Sequence, residues 1–253
     1  MFIPYGHLTQ SDVIAANSVA LIPMAAMETH GPHLPLATDG LIAEGIIERA
    51  SELNATKGLT YLLPPLWLGA SAEHADRAGT LSAEPEILIS QICSIGEGLA
   101  NRGVKRVLLF NAHGGNIAVG DIAALKLRTK FAVLAANAHW LDFGIPKTLN
   151  SPAALEEDVH GGWAETSIVL HLAPDLVRQG VATANPPSPP AASLFPKGPI
   201  NWGWKTDDLA RGGWVGRPDL ASAALGAQIV DHAAQRLCET LADLTAARWP
   251  ADQ

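Results

Sequence analysis

Short apolar runs alternate along this chain with longer stretches whose apolar residues recur at helical spacing. Val19-Ala-Leu-Ile-Pro-Met24 reads as a buried strand. After it, Thr38-Asp39 can cap a helix that places Ile42, Ile46 and Ala50 on one face. Tyr61-Leu-Leu-Pro-Pro-Leu66 predicts a second strand, limited by its prolines. Ser82-Ala-Glu-Pro-Glu86 predicts a helix start; Leu88, Ile92, Ile95 and Leu99 then follow at helical spacing, with Gly103 past the end. Lys105 to Phe110 is a third strand, followed by a helix to about Thr129, and Phe131 to Ala136 is expected as a fourth strand. From Asp219 onward, Leu225, Ile229, Ala233, Leu237, Leu241 and Leu244 mark a long amphipathic helix. Strands alternating with helices predict βαβ units in an α/β fold with a mostly parallel sheet.

The segment from Asn185 to Trp214 breaks this rhythm. It is rich in Pro, Gly and Trp and cannot be regular helix. A loop of that length in a compact chain is usually functional or an oligomer contact. Too few residues follow it for a second domain, so residues 1–253 are expected to form one.

Composition narrows the function. With 48% hydrophobic and 17% charged residues, the chain can bury a sizeable core. A net charge of −8 without a Lys/Arg cluster argues against nucleic acid and against anionic membrane surfaces. No apolar stretch reaches the roughly 18 residues that span a bilayer. The first residues lack a signal-peptide pattern, and the two cysteines, Cys93 and Cys238, fit buried thiols in a reducing compartment, so the expected location is cytoplasmic.

The chemistry lies in three segments. Glu28-Thr-His-Gly-Pro-His-Leu-Pro-Leu-Ala-Thr-Asp39 gathers carboxylates and imidazoles, the ligand types that zinc, manganese and iron accept. Glu28 and His30 are two apart, so an extended backbone projects them to one side. Asp39 is far enough along the loop to return to the same centre and bridge two ions. His113, in Asn111-Ala-His-Gly-Gly-Asn116, follows another strand; its glycines allow close approach to a ligand. Both segments therefore start at the carboxyl ends of strands, where open parallel sheets build their sites. The third segment is Asp158-Val-His160-Gly-Gly-Trp-Ala-Glu165-Thr-Ser167, where Glu165 opens an apolar helical run. His74, in Ser71-Ala-Glu-His, is a pocket or supporting residue. Trp140 can wall the site. His33 is read as structural, and His7, His171 and His232 as ordinary histidines.

In order and spacing, Glu28-x-His30-Gly-Pro-His-Leu-Pro with Asp39, then Asn-Ala-His113-Gly-Gly-Asn, then His160-Gly-Gly-x-x-Glu165-Thr-Ser, resemble the creatininase family of amidohydrolases. The resemblance runs from about Val19 to Val177, with a weaker match from Gly216 through the last helix. It implies a three-layer α/β/α sandwich, a homohexamer, and two divalent metal ions (Zn, Mn or Fe). Carried over by position, Glu28 and His113 hold one metal, His30 the other, and Asp39 bridges. The implied reaction is hydrolysis of an amide C–N bond in a small molecule, with His160 moving the proton and Glu165 as a ligand or water-orienting group. A short-peptide peptidase and a non-catalytic metal-binding protein are the alternatives. Two positions depart from creatininase. Gly115 stands where that enzyme has a glutamate ligand, so either Glu165 or water completes the second metal's shell or that metal binds weakly. Glu156 stands where it has a pocket tryptophan, so an acidic pocket around Glu156 would favour a cationic substrate.

Overall fold

In a computed structural model, residues 1–53, 58–196 and 200–249 are described. Five strands form one all-parallel sheet: β1 (Phe2–Pro4), β2 (Val19–Met24), β3 (Thr60–Leu62), β4 (Arg106–Asn111) and β5 (Leu134–His139), in the order β1-β3-β2-β4-β5. Every residue of β2 and β4 is buried. Successive side chains on a strand point to opposite faces, and the two cores divide accordingly. Val19, Leu21, Leu108 and Phe110 join one cluster with helices α1 (Thr38–Leu53), α4 (Trp163–Leu172) and α6 (Ala223–Ala246). Ala20, Ile22, Met24, Val107 and Leu109 join the other with α2 (Pro85–Asn101) and α3 (Ile117–Phe131). Helices therefore cover both faces, as the alternating pattern predicts.

The helices follow their sequence signals. Pro85 occupies the first turn of α2, where its missing N–H costs nothing, and the chain leaves that helix through Gly103 at φ +95°. Ile42, Ile46 and Ala50 bury the inner stripe of α1. The long final helix starts at Ala223, capped by the Ser222 side chain; Asp219 lies before it in a single 3-10 turn. No helix among the described residues is long and apolar enough to cross a membrane.

The strand expected over Phe131–Ala136 lies three residues later. Phe131 is the last residue of α3, Ala132 adopts a left-handed conformation (φ 54°), and β5 begins at Leu134. The apolar run is continuous across that break, so hydropathy alone misplaces it. The predicted Tyr61–Leu66 strand is confined to Thr60–Leu62, because Pro64 and Pro65 carry no N–H; Leu63 and Leu66 still bond β2 through Leu21 and Pro23. β1 has three residues, too short for a periodicity signal. Cys238 is buried, as expected, while Cys93 is only half-buried.

Register places the site. Met24 pairs with Asn111, and Asn111 with His139, so β2, β4 and β5 end level at their carboxyl ends. The loops that leave those ends carry Glu28 and His30, His113, and Trp140.

Candidate metal centre

Glu28, His30, Asp39, His74, His113 and His160 are all buried. His30 Nε2 is 3.3 Å from Asp39 Oδ1, and His113 Nδ1 is 3.3 Å from both Glu28 Oε1 and Asp39 Oδ2. His74 Nε2 and His160 Nδ1 lie 3.4 and 3.8 Å from Glu28 Oε1, and Glu165 Oε2 is 4.0 Å from His30 Nε2.

Backbone carbonyls and one hydroxyl set the tautomers. A carbonyl can only accept, so His30 donates through Nδ1 to Glu28 O, His113 through Nε2 to Ala70 O, and His160 through Nε2 to Thr29 O. Thr206 gives its hydroxyl proton to Glu73 O and so accepts from His74 Nδ1. In their neutral forms all four rings thereby turn the unprotonated nitrogen towards the carboxylates. Metal-binding imidazoles are commonly oriented in this way by a partner on the far nitrogen.

The loop around His113 explains its sequence. Asn111 exchanges two hydrogen bonds with the His113 backbone. Asn116 donates to Ala25 O and accepts from Ala70 N, tying this loop to the ones after β2 and β3. Gly161 holds φ +60°, letting its N–H reach Glu165 Oε2 at 2.5 Å. Gly162 caps α4 without a side chain; Asp158 supplies the missing acceptor to Trp163 N and Ala164 N.

Charge in the cluster is strongly displaced. Burial pushes the Glu28 carboxyl up, but the imidazoles of His113, His74 and His160 outweigh it and leave it well below the usual range. Asp39 is also lowered, burial being overcome chiefly by His30. Burial opposes protonation of His30, yet Asp39, Glu165 and Glu28 hold it up at about 9, and His113 is raised in the same way. Burial and the neighbouring His30 lower His160. Burial, then His160, pushes His74 down to about 2.

Two triads have the composition of metal sites, Glu28–Asp39–His113 and His30–Asp39–Glu165, and Asp39 belongs to both. A third group, Glu28–His30–His160, overlaps them. Glu28 Oε2, His30 Nε2 and Asp39 Oδ2 are buried without a hydrogen-bond partner among the described residues. Ligands about 2.1 Å from a tetrahedral ion stand about 3.4 Å apart, close to the separations here. Orphaned buried atoms of the right types at that spacing fit two divalent ions.

The centre opens into a cavity of about 630 Å³. Trp140, His139, Trp202 and Trp204 form part of its wall. Described residues of the Pro- and Trp-rich segment thus lie over the site, and a short helix among them, α5 (Thr206–Leu209), holds the Glu73–His74 turn through Thr206. His33 stays behind the site, bonded to Gly161 O and close to Thr166 Oγ1; burial lowers it to about 4. Glu156 corrects the sequence reading. It is exposed on a 3-10 turn (Leu155–Glu157) and does not line the cavity. The residue overlooked was Glu73, whose carboxylate does line it. Its position beside His74 in Ser-Ala-Glu-His was the available signal.

Residues 7–241 match the family model described as Creatininase: Creatinine amidohydrolase. The chain belongs to the creatininase family. It is 30% identical over 239 residues to the mycofactocin precursor peptide peptidase of Mycolicibacterium smegmatis, covering 92% of this chain and 89% of that protein. It is 29% identical over 215 residues to the creatinine amidohydrolase of Pseudomonas putida, covering 77% and 81%. A solved creatininase variant of Zn-Zn type shares the fold with a TM-score of 0.75 at 23% identity, covering 97% of this chain and 98% of that one. The protein is thus a creatininase-family hydrolase with a buried His/Glu/Asp metal-site candidate.

Proposed function

We propose that this creatininase-family chain is a two-metal amidohydrolase that cleaves an amide C–N bond in a small molecule. The observation that carries this reading is Asp39, whose two oxygens face His30 in one triad and His113 in the other. On this reading Glu28, Asp39 and His113 hold one ion, and His30, Asp39 and Glu165 the other, zinc, manganese or iron being the metals. Bound there, the ions supply a water of lowered pKa and an electrophile for the substrate carbonyl.

The chain's own groups do the rest. His160 keeps Nδ1 free of a fixed proton, because Thr29 O holds Nε2–H. It can take a proton from the attacking water and pass it to the leaving nitrogen. Burial lowers its pKa, which favours the neutral ring that can accept. Glu165 is fixed by Gly161 N and orients the water. Trp140 and Trp202 wall the cavity and limit bulk water. The chain is further proposed to work as a cytoplasmic homohexamer.

The second reading is a peptidase acting on a short peptide end. The cavity volume favours it, since about 630 Å³ exceeds what a small ring fills and falls within the range for ligands of about 300–1,000 Å³. One experiment separates them. Protein reconstituted with Zn, Mn or Fe is assayed for amine release from a panel of small cyclic amides, formamides and dipeptides. Turnover lost with chelator and confined to non-peptide amides supports the first reading. Turnover confined to peptides supports the second, and no turnover with both metals bound refutes both.

A further inference from the structure

Gly115 cannot carry a side chain in this fold. A Cβ there would lie 2.2 Å from Ala70 O, 2.5 Å from His113 Nε2 and 2.6 Å from Glu73 Oε1. The first of these is backbone, which has no rotamer to move away. The space beside His113 is instead filled from another loop, by Glu73. Its Oε1 stands 3.7 Å from His113 Nε2, on the edge of the ring opposite the one facing Glu28 and Asp39. One imidazole therefore separates Glu73 from the metal-site carboxylates. Its Nε2–H is already directed to Ala70 O, so Glu73 neither fixes this tautomer nor belongs to a metal triad.

The cavity around Glu73 is acidic. Glu28, Asp39, Glu73, Asp142 and Glu165 line it, and no Lys or Arg among the described residues does. Two divalent ions would neutralise the acids of the two triads, whereas Glu73 belongs to neither and faces the cavity. Its side chain is mostly enclosed but still 18% exposed, so a ligand can reach it. A second observation points to a ligand in the same cavity. Trp140, Trp202 and Trp204 line the same cavity. Tryptophan faces also favour cations.

We propose that Glu73 is the specificity-determining residue of this site, and that it takes a protonated amino group of the substrate. The substrate class is then an amide bearing an ammonium group a few bonds from the scissile carbonyl. This rests on the amidohydrolase reading for the word substrate, but the ligand chemistry can be tested without turnover. The acidic subsite expected from Glu156 is thus assigned to a different residue on a different loop.

The test uses full-length protein loaded with zinc and two hydroxamate probes, 4-aminobutyryl hydroxamate and its N-acetyl derivative, measured by calorimetry. The free amine is expected to bind at least tenfold tighter. Glu73→Gln should erase that difference, leave the N-acetyl probe unchanged and leave metal content unchanged. Equal binding of the two probes to the unaltered protein overturns the proposal. So does a Glu73→Gln protein that loses metal, which would make Glu73 a ligand, or one that weakens both probes equally, which would make it structural. Because binding is read directly, a protein that discriminates between the probes yet hydrolyses no amide would refute the amidohydrolase reading alone.

Discussion

Asp39 Oδ1 faces His30 Nε2 at 3.3 Å, both fully enclosed, and such burial does not suit a simple surface ion pair. The other oxygen of the same carboxylate faces His113. Asp39 also opens α1, where a first-turn acid has an ordinary dipole role. Burial among imidazoles distinguishes it from such an acid. Asp39→Ala is therefore expected to lose both ions rather than one. Elemental analysis of the purified variant checks this, and full metal occupancy would remove the bridging role.

His160→Ala is expected to retain its metal and lose about 10²–10⁴-fold in turnover, the usual contribution of a positioned acid–base group. Metal content and kcat are measured on the same preparation. Loss of one ion would instead assign His160 to the overlapping Glu28–His30–His160 group.

Protons and metal compete for the same nitrogen atoms. In metal-free protein Asp39, Glu165 and Glu28 hold His30 at about 9, above its ordinary value near 6.5. A raised histidine stabilises the fold fully below its unfolded pKa, and that stability is lost as pH rises through the folded value. Metal-free protein should therefore lose stability between about pH 6.5 and 9. Zinc binding at pH 7.5 should release at least one proton per chain, and apparent affinity should climb with pH up to about 9. Calorimetry in two buffers of different ionisation enthalpy reads the proton count; no release at pH 7.5 would contradict this charge assignment.

Much of this was legible in the chain. Hydrophobic runs predicted β2 and β4 because both are buried on two faces, and Pro85 and Gly103 marked the ends of α2. The ligand-type residues stood out because buried carboxylates and histidines have no packing reason to cluster. Other features depend on three-dimensional closure. The end of α3 turns on one left-handed residue, Ala132, inside a continuous apolar run. Glu156 looked suited to the pocket by its position in the chain, yet the turn at Leu155–Glu157 points it to solvent. Glu73 was hidden because only the fold shows that Gly115 leaves its space to a residue 42 positions earlier.

Asp158 couples the fold to the site. It caps α4 in place of Gly162, and α4 carries Glu165 while the chain just before it carries His160. Asp158→Ala should cost about 0.5–2 kcal/mol of stability, the range for a lost helix cap, and should lower turnover without changing the metal count. Thermal unfolding with parallel activity measurements checks both. Unchanged turnover would show that His160 and Glu165 are held by other contacts.

The proposed site is a two-ion centre built on Asp39. Its most direct test is transition-metal content per chain, by elemental analysis of protein purified without added metal or chelator and again after reconstitution. The predicted result is about two ions per chain, falling to none in Asp39→Ala. One ion per chain, or none after reconstitution, would contradict it.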